Sequence, residues 1–196
     1  MILPEYNASA GQAEKAAALM YVGIGDFAEA GFTTYSGTQG TGWFPYFRVE
    51  KPHTGPNPIQ PGGFYIDTTR KQTPSQVISS FKVYYKTSEN VLRIRFQLGA
   101  SVFYDVTLTG QSTSNVRVKR VVSIAMDPSL APTTKFSTPY SSYGKWFDFK
   151  FLKNDGAASV FPTDVSGLSN ETWSHGGSID YIKSGTNPVS ESFKIY

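Results

Sequence analysis

Between residues 81 and 124 the apolar side chains return at every second position. Phe81, Val83 and Tyr85 form one run, and Leu92, Ile94, Phe96 and Leu98 a second. Val102, Tyr104, Val106 and Leu108 follow, then Val116, Val118, Val122 and Ile124. Period two sends successive side chains to opposite faces of an extended chain, so each run predicts a strand with one face on a core. The other face meets water or a ligand. Ser88-Glu89-Asn90 reads as the turn between the first two runs. The pattern returns at Phe147, Phe149 and Phe151, and shorter strands fit Phe44–Val49 and residues 64–68, 179–183 and 191–196. Residues 1–30 follow a different rhythm. Ala13, Ala16, Ala17, Met20, Ile24 and Phe27 fall at steps of three and four, with Glu14, Lys15 and Asp26 elsewhere. That spacing predicts an amphipathic helix over 11–20, weakened beyond it by Gly23 and Gly25.

The expected fold is therefore all-β: an antiparallel β-sandwich with one or two short helices, one of them near the N-terminus. A chain of 196 residues fits one domain, with a helical segment at 1–30 and the sandwich at 31–196. Its 18 Gly and 12 Pro supply the turns that many short strands need. Aromatic residues, 15% of the chain, compensate in buried area for a hydrophobic content of only 39%. Cysteine is absent, which excludes a disulfide framework and thiolate metal sites. The longest apolar run, residues 16–24, is well short of a membrane-spanning helix. The N-terminus carries no signal-peptide pattern, as a mature secreted protein would not.

Charge changes the picture of the strands. Residues 81–124 hold seven Lys and Arg against two acids, a net of +5, while the whole chain is only +3. Lys82, Arg93, Arg95, Arg117 and Lys119 alternate with the apolar set, so one face of the predicted sheet is basic. An anionic polymer or an interface within an assembly would meet such a face.

Signatures of catalysis are missing. His53 and His175 lie far apart, each in a predicted loop, and no H-x-x-x-H or H-x-E spacing occurs. No G-x-S-x-G elbow, P-loop or dinucleotide fingerprint is present, and Gly23 and Gly25 make only a lone G-x-G. No enzyme and no cofactor is expected. The second positive signal is the stretch from Phe136 to Phe147, where Tyr140, Tyr143 and Trp146 recur at every third residue among Ser137, Pro139 and Lys145. Amphipathic rings of this kind stack on sugars or choline head groups, or settle at a lipid boundary. The same rings could equally fill a core beside a corner turn.

Ser137, Pro139 and Tyr140, then Tyr143, then Trp146-Phe147 opening a strand, resemble the aromatic lipid-binding cluster of the actinoporins, Cys-free basic cytolysins. Trp43 through Tyr46-Phe47-Arg48, followed by a Pro/Gly loop and Phe64-Tyr65-Ile66, is similar to that family's first strands. The resemblance implies a secreted β-sandwich that binds lipid head groups and forms pores; a homo-oligomer is a further partner the chain could take.

The function expected from the sequence is thus a non-enzymatic secreted protein that recognises a membrane or glycan surface, at its strongest a pore-forming cytolysin. Its ligand-binding residues would be Ser137, Pro139, Tyr140, Tyr143, Trp146, Arg93 and Arg95. The alternatives are a lectin-like carbohydrate-binding module, or a viral or phage capsid or tail protein whose basic side faces nucleic acid.

Overall fold

The computed structural model describes residues 1–5, 16–24, 28–34, 42–49, 53–54, 63–78, 80–86, 91–98, 100–109, 118–126, 142–147, 151–153, 158–160, 179–184 and 190–195. The described chain is all-β. Its strands are β1 (Ala16–Ile24), β2 (Ala28–Thr33), β3 (Phe44–Val49), β4 (His53–Thr54), β5 (Gly63–Ile66), β6 (Ser80–Lys86) and β7 (Val91–Leu98). They continue with β8 (Ser101–Thr109), β9 (Val118–Met126), β10 (Gly144–Trp146), β11 (Phe151–Lys153), β12 (Ala158–Val160), β13 (Ile179–Ser184) and β14 (Ser190–Ile195). Every pairing is antiparallel. A five-stranded sheet runs β5-β3-β2-β1-β9 and a four-stranded sheet β4-β8-β7-β6. Smaller sheets run β10-β14-β13 and β11-β12.

The predicted N-terminal helix is corrected. Residues 16–20 open β1, the penultimate strand of the large sheet, with β2 on one side and β9 on the other. No helix occurs among the described residues, and residues 11–15 of the expected helix lie outside them. The Ala-rich run fits both periods. In the fold, Ala18, Met20 and Val22 are buried on one face while Leu19 and Tyr21 are half-buried on the other. Backbone pairing on both edges overrides the modest helix preference of alanine.

Much of the core lies on one face of the large sheet, while Thr33, Phe44 and Tyr46 are buried on the other. Ala28, Ala30 and Phe32 of β2 and Phe47 and Val49 of β3 join Ala18, Met20 and Val22 on the first, all buried. Phe47 carries the layer toward β5 by a tilted contact with Tyr65, ring centroids 5.5 Å apart.

The N-terminal residues are woven in. Ile2 and Lys145 exchange backbone hydrogen bonds of 2.8 and 3.0 Å, and Ser75 donates to the Leu3 carbonyl at 2.7 Å. Met1 and Leu3 are buried, and the Trp43 indole donates to the Pro4 carbonyl at 2.7 Å. The segment thereby ties β10 to residues 75–78 and to the start of β3.

The expected four-strand run over 81–124 divides. β6, β7 and β8 form consecutive hairpins as predicted, with a bulge between Phe96 and Gln97. The fourth strand, β9, leaves them and pairs along its whole length with β1. The basic residues are divided with it: Lys82, Arg93 and Arg95 belong to one sheet and Lys119 to another. Arg117 lies outside the described residues.

Candidate functional site

Strand register places a polar row across the other face of the large sheet, at the end away from the buried Thr33 and Phe44. Lys119 of β9 stands beside Gly23 of β1, Gly23 beside Glu29 of β2, and Glu29 beside Arg48 of β3. Each step crosses one strand, about 4.8 Å. A side chain in the middle of such a row would separate the charges on either side. Glycine removes that barrier: a Cβ at Gly23 would collide with the Lys119 side chain, lying 2.9 Å from Cγ and closer still to Cε. The lysine stem therefore crosses β1 above Gly23, and its Nζ comes within 3.9 Å of Glu29 Oε1. The Glu29 side chain keeps 22% of its surface accessible and that of Lys119 46%, so the pair is open to a ligand. Arg48 at the far end is exposed.

The adjacent row repeats the device. Val121, Tyr21, Gly31 and Tyr46 stand side by side on β9, β1, β2 and β3. With no side chain on Gly31, the two tyrosines lean over β2 and meet edge-on, ring centroids 6.0 Å apart at 72°. Both phenols are held neutral. Burial first, and the Glu29 charge second, push Tyr21 up to about 12 against an opposing pull from Arg48. Tyr46 is raised further by the same two causes and by Tyr21, again against Arg48. A neutral phenol keeps its proton and can donate it in a hydrogen bond. The face thus combines a carboxylate, two cations and two phenols on four neighbouring strands.

The residues expected to bind a ligand are placed elsewhere. Trp146 on β10 is buried at 5% exposure, and its Nε1 has no hydrogen-bond partner among the described residues. Tyr143 is half-buried, and its hydroxyl donates to Asp180 at 3.3 Å. Neither is a freely exposed ring. Ser137, Pro139 and Tyr140 lie outside the described residues. Arg93 forks onto Asp105 of β8, with Nε–Oδ1 2.7 Å and Nη2–Oδ2 2.9 Å. Arg95 stands across from Lys82 in the β6–β7 register. Arg93 and Arg95 belong to the four-stranded sheet and Trp146 to the three-stranded one.

Another charged group also lies apart from the polar row. Arg120, next to Lys119 but directed to the core side, holds Glu191 of β14 through Nη2–Oε1 at 2.9 Å and Nη1–Oε2 at 2.5 Å. The Tyr181 hydroxyl donates to the same carboxylate at 3.0 Å. No cluster of three or more His, Asp or Glu suited to a metal ion is found among the described residues. Glu29 and Tyr21 escaped the sequence reading because no local motif contains them, and Tyr46 figured there only as part of a strand. The available signal was glycine inside apolar strands, at positions 23 and 31, which marks a close approach by a neighbour.

No protein-family model and no curated protein sequence matches the chain. Among solved structures, the chain resembles the aspergilloglutamic peptidase from Aspergillus niger at a TM-score of 0.53 and 13% identity. The likeness spans 92% of this chain and 99% of that one. At this identity it speaks for the fold. It also corrects the functional expectation: the protein sharing the fold is an enzyme, and nothing in the likeness leads to a non-enzymatic membrane or glycan binder, a lectin or a virion subunit.

Proposed function

We propose that the protein is a hydrolase of peptide bonds that works on the open face of its large sheet, with Glu29 as the general base. The observation that carries this reading is the accessible Glu29–Lys119 pair, set over a glycine and beside two neutral phenols. The fold likeness to a peptidase supports the choice of bond.

In this reading Glu29 takes a proton from a water lying on the sheet, and the water oxygen attacks the substrate carbonyl. The Tyr21 hydroxyl donates to the oxyanion that forms, a role that suits a phenol whose proton stays on up to about pH 12. As the C–N bond breaks, Glu29 passes the proton to the departing amine and returns to its carboxylate form. Lys119 fixes the orientation of the carboxylate through the contact over Gly23.

Glu29→Gln keeps the shape and removes the base. Its cleavage of an unfolded protein such as casein should fall about a hundredfold or more, with an unchanged circular dichroism spectrum. Equal cleavage by the variant, or none by the native protein between pH 3 and pH 9, would withdraw the reading.

A further inference from the structure

We propose that residues 1–5 are an exchangeable strand: the slot they fill is a peptide-binding site, and its partner in trans is the same segment of a second copy of this chain. The proposal is independent of the hydrolase reading and uses nothing on the Glu29 face.

Ile2 pairs antiparallel with Lys145 on one side and with Val77 on the other, so the segment is a strand inserted between β10 and residues 75–78. Both walls hold its backbone. Ile2 exchanges two hydrogen bonds with Lys145, while Ser75 donates to the Leu3 carbonyl at 2.7 Å and Ile78 to the Met1 carbonyl at 2.9 Å. The Trp43 indole donates to the Pro4 carbonyl at 2.7 Å, and the Ser142 hydroxyl accepts from the Glu5 N–H at 2.8 Å. Leu3 is fully buried, Ile2 half-buried and Glu5 exposed. Gly144 leaves room for the proline, since a Cβ there would lie 3.0 Å from Pro4 Cδ. This is how an extended peptide adds to a sheet: main-chain bonds give affinity, and pockets for alternate side chains give specificity. The segment and its walls are remote in sequence, so every contact between them is non-covalent. A second copy carries the identical segment and reproduces each of those contacts, which singles it out as the partner. Leu3 also precedes a proline, which biases it toward extended backbone before binding and lowers the cost of ordering the segment.

A labelled peptide with the sequence of residues 1–6 tests the site on the full chain carrying Leu3→Asp, in which a charge in the dry slot expels the cis segment. The peptide should bind this variant saturably, read by fluorescence anisotropy, and raise its melting temperature by mass action. A peptide with the same Leu-to-Asp change should bind about a hundredfold more weakly. The original peptide should bind the native protein about a hundredfold more weakly too, because the cis segment competes at an effective concentration of about 1 mM. Exchange between copies is read on the native protein. Held near its melting temperature at about 1 mM and cooled, it should yield a dimer that Leu3→Asp does not form and that excess peptide suppresses. A Leu3→Asp chain that neither binds the peptide nor gains stability from it, whether folded or unfolded beforehand, overturns the site. Equal affinity of the peptide for native and variant proteins does the same. Peptide binding with no dimer, or with a dimer that excess peptide leaves unchanged, overturns the second copy as the partner.

Discussion

At the scale of single residues, the absence of a side chain does as much as its presence. Gly23 and Gly31 stand in the middle of two rows, and the neighbours of each close over it. Gly23→Ala should push the Lys119 stem aside, and the Lys119–Glu29 contact would lengthen. The expected result is about a tenfold fall in kcat/KM, of the order of one lost charged hydrogen bond, with KM less affected than kcat and only a small loss of stability. Lys119→Met should reproduce it. If Gly23→Ala were as active as the native protein, Lys119 would have no role in orienting the carboxylate. The phenols offer a second check, by pH. Tyr21 titrates near 12 in the fold and near 10 when exposed, because burial disfavours the phenolate. The neutral form is the stabilised one, so this contribution is complete below pH 10 and is lost as the pH climbs through 12. Melting temperature should thus fall between pH 10 and pH 12, and fall less steeply in Tyr21→Phe. Parallel curves for the two proteins would mean that Tyr21 does not carry the effect.

At the scale of elements, the hairpins β6–β7 and β7–β8 were legible because each strand alternates and its partner follows within a few residues. β1 was misread for a physical reason. Ala16, Ala17, Met20 and Ile24 satisfy helical steps, and Ala18, Met20 and Val22 satisfy strand steps equally well. The deciding influence is β9, about a hundred residues later in the chain, which pairs with β1 from Ala16 to Ile24. Local sequence carries no record of that partner. The same pairing explains why the candidate site was invisible. Its charged row joins positions 23, 29 and 48, brought together by the β1–β2–β3 pairings, to position 119, which reaches them only once β9 has left the β6–β8 hairpins for the large sheet. The aromatic stretch posed the opposite difficulty. Rings at every third residue suit a binding surface or a core, and the fold buries Trp146.

At the scale of the whole molecule, β9 is the outermost strand of the large sheet in the order above, and both of its faces carry charge. On the open face Lys119 reaches Glu29; on the core side the next residue, Arg120, grips Glu191 of β14. The Arg120 and Glu191 side chains are only 16% and 10% exposed, and Tyr181 satisfies the same carboxylate from β13. A solvent-shielded, low-dielectric pair of this kind adds little over an apolar contact but is costly to break from one side. Arg120→Met should therefore strand the Glu191 charge and lower unfolding stability by about 3–5 kcal/mol. Arg120→Met/Glu191→Met, which removes both charges and leaves the Tyr181 hydroxyl near solvent, should recover most of that loss. Urea denaturation of the two variants decides it: a double variant no more stable than the single would show that the pair itself, rather than the orphaned carboxylate, supplies the energy. Because Arg120 and Lys119 are consecutive residues on opposite faces of one strand, the clamp also bears on the site. Freed from β14, the outer strand can shift relative to β1, and the 3.9 Å approach of Lys119 to Glu29 depends on that register. The single variant should lose peptide hydrolysis at temperatures where it is still folded, and the double variant, with β9 again seated on an apolar contact, should regain it.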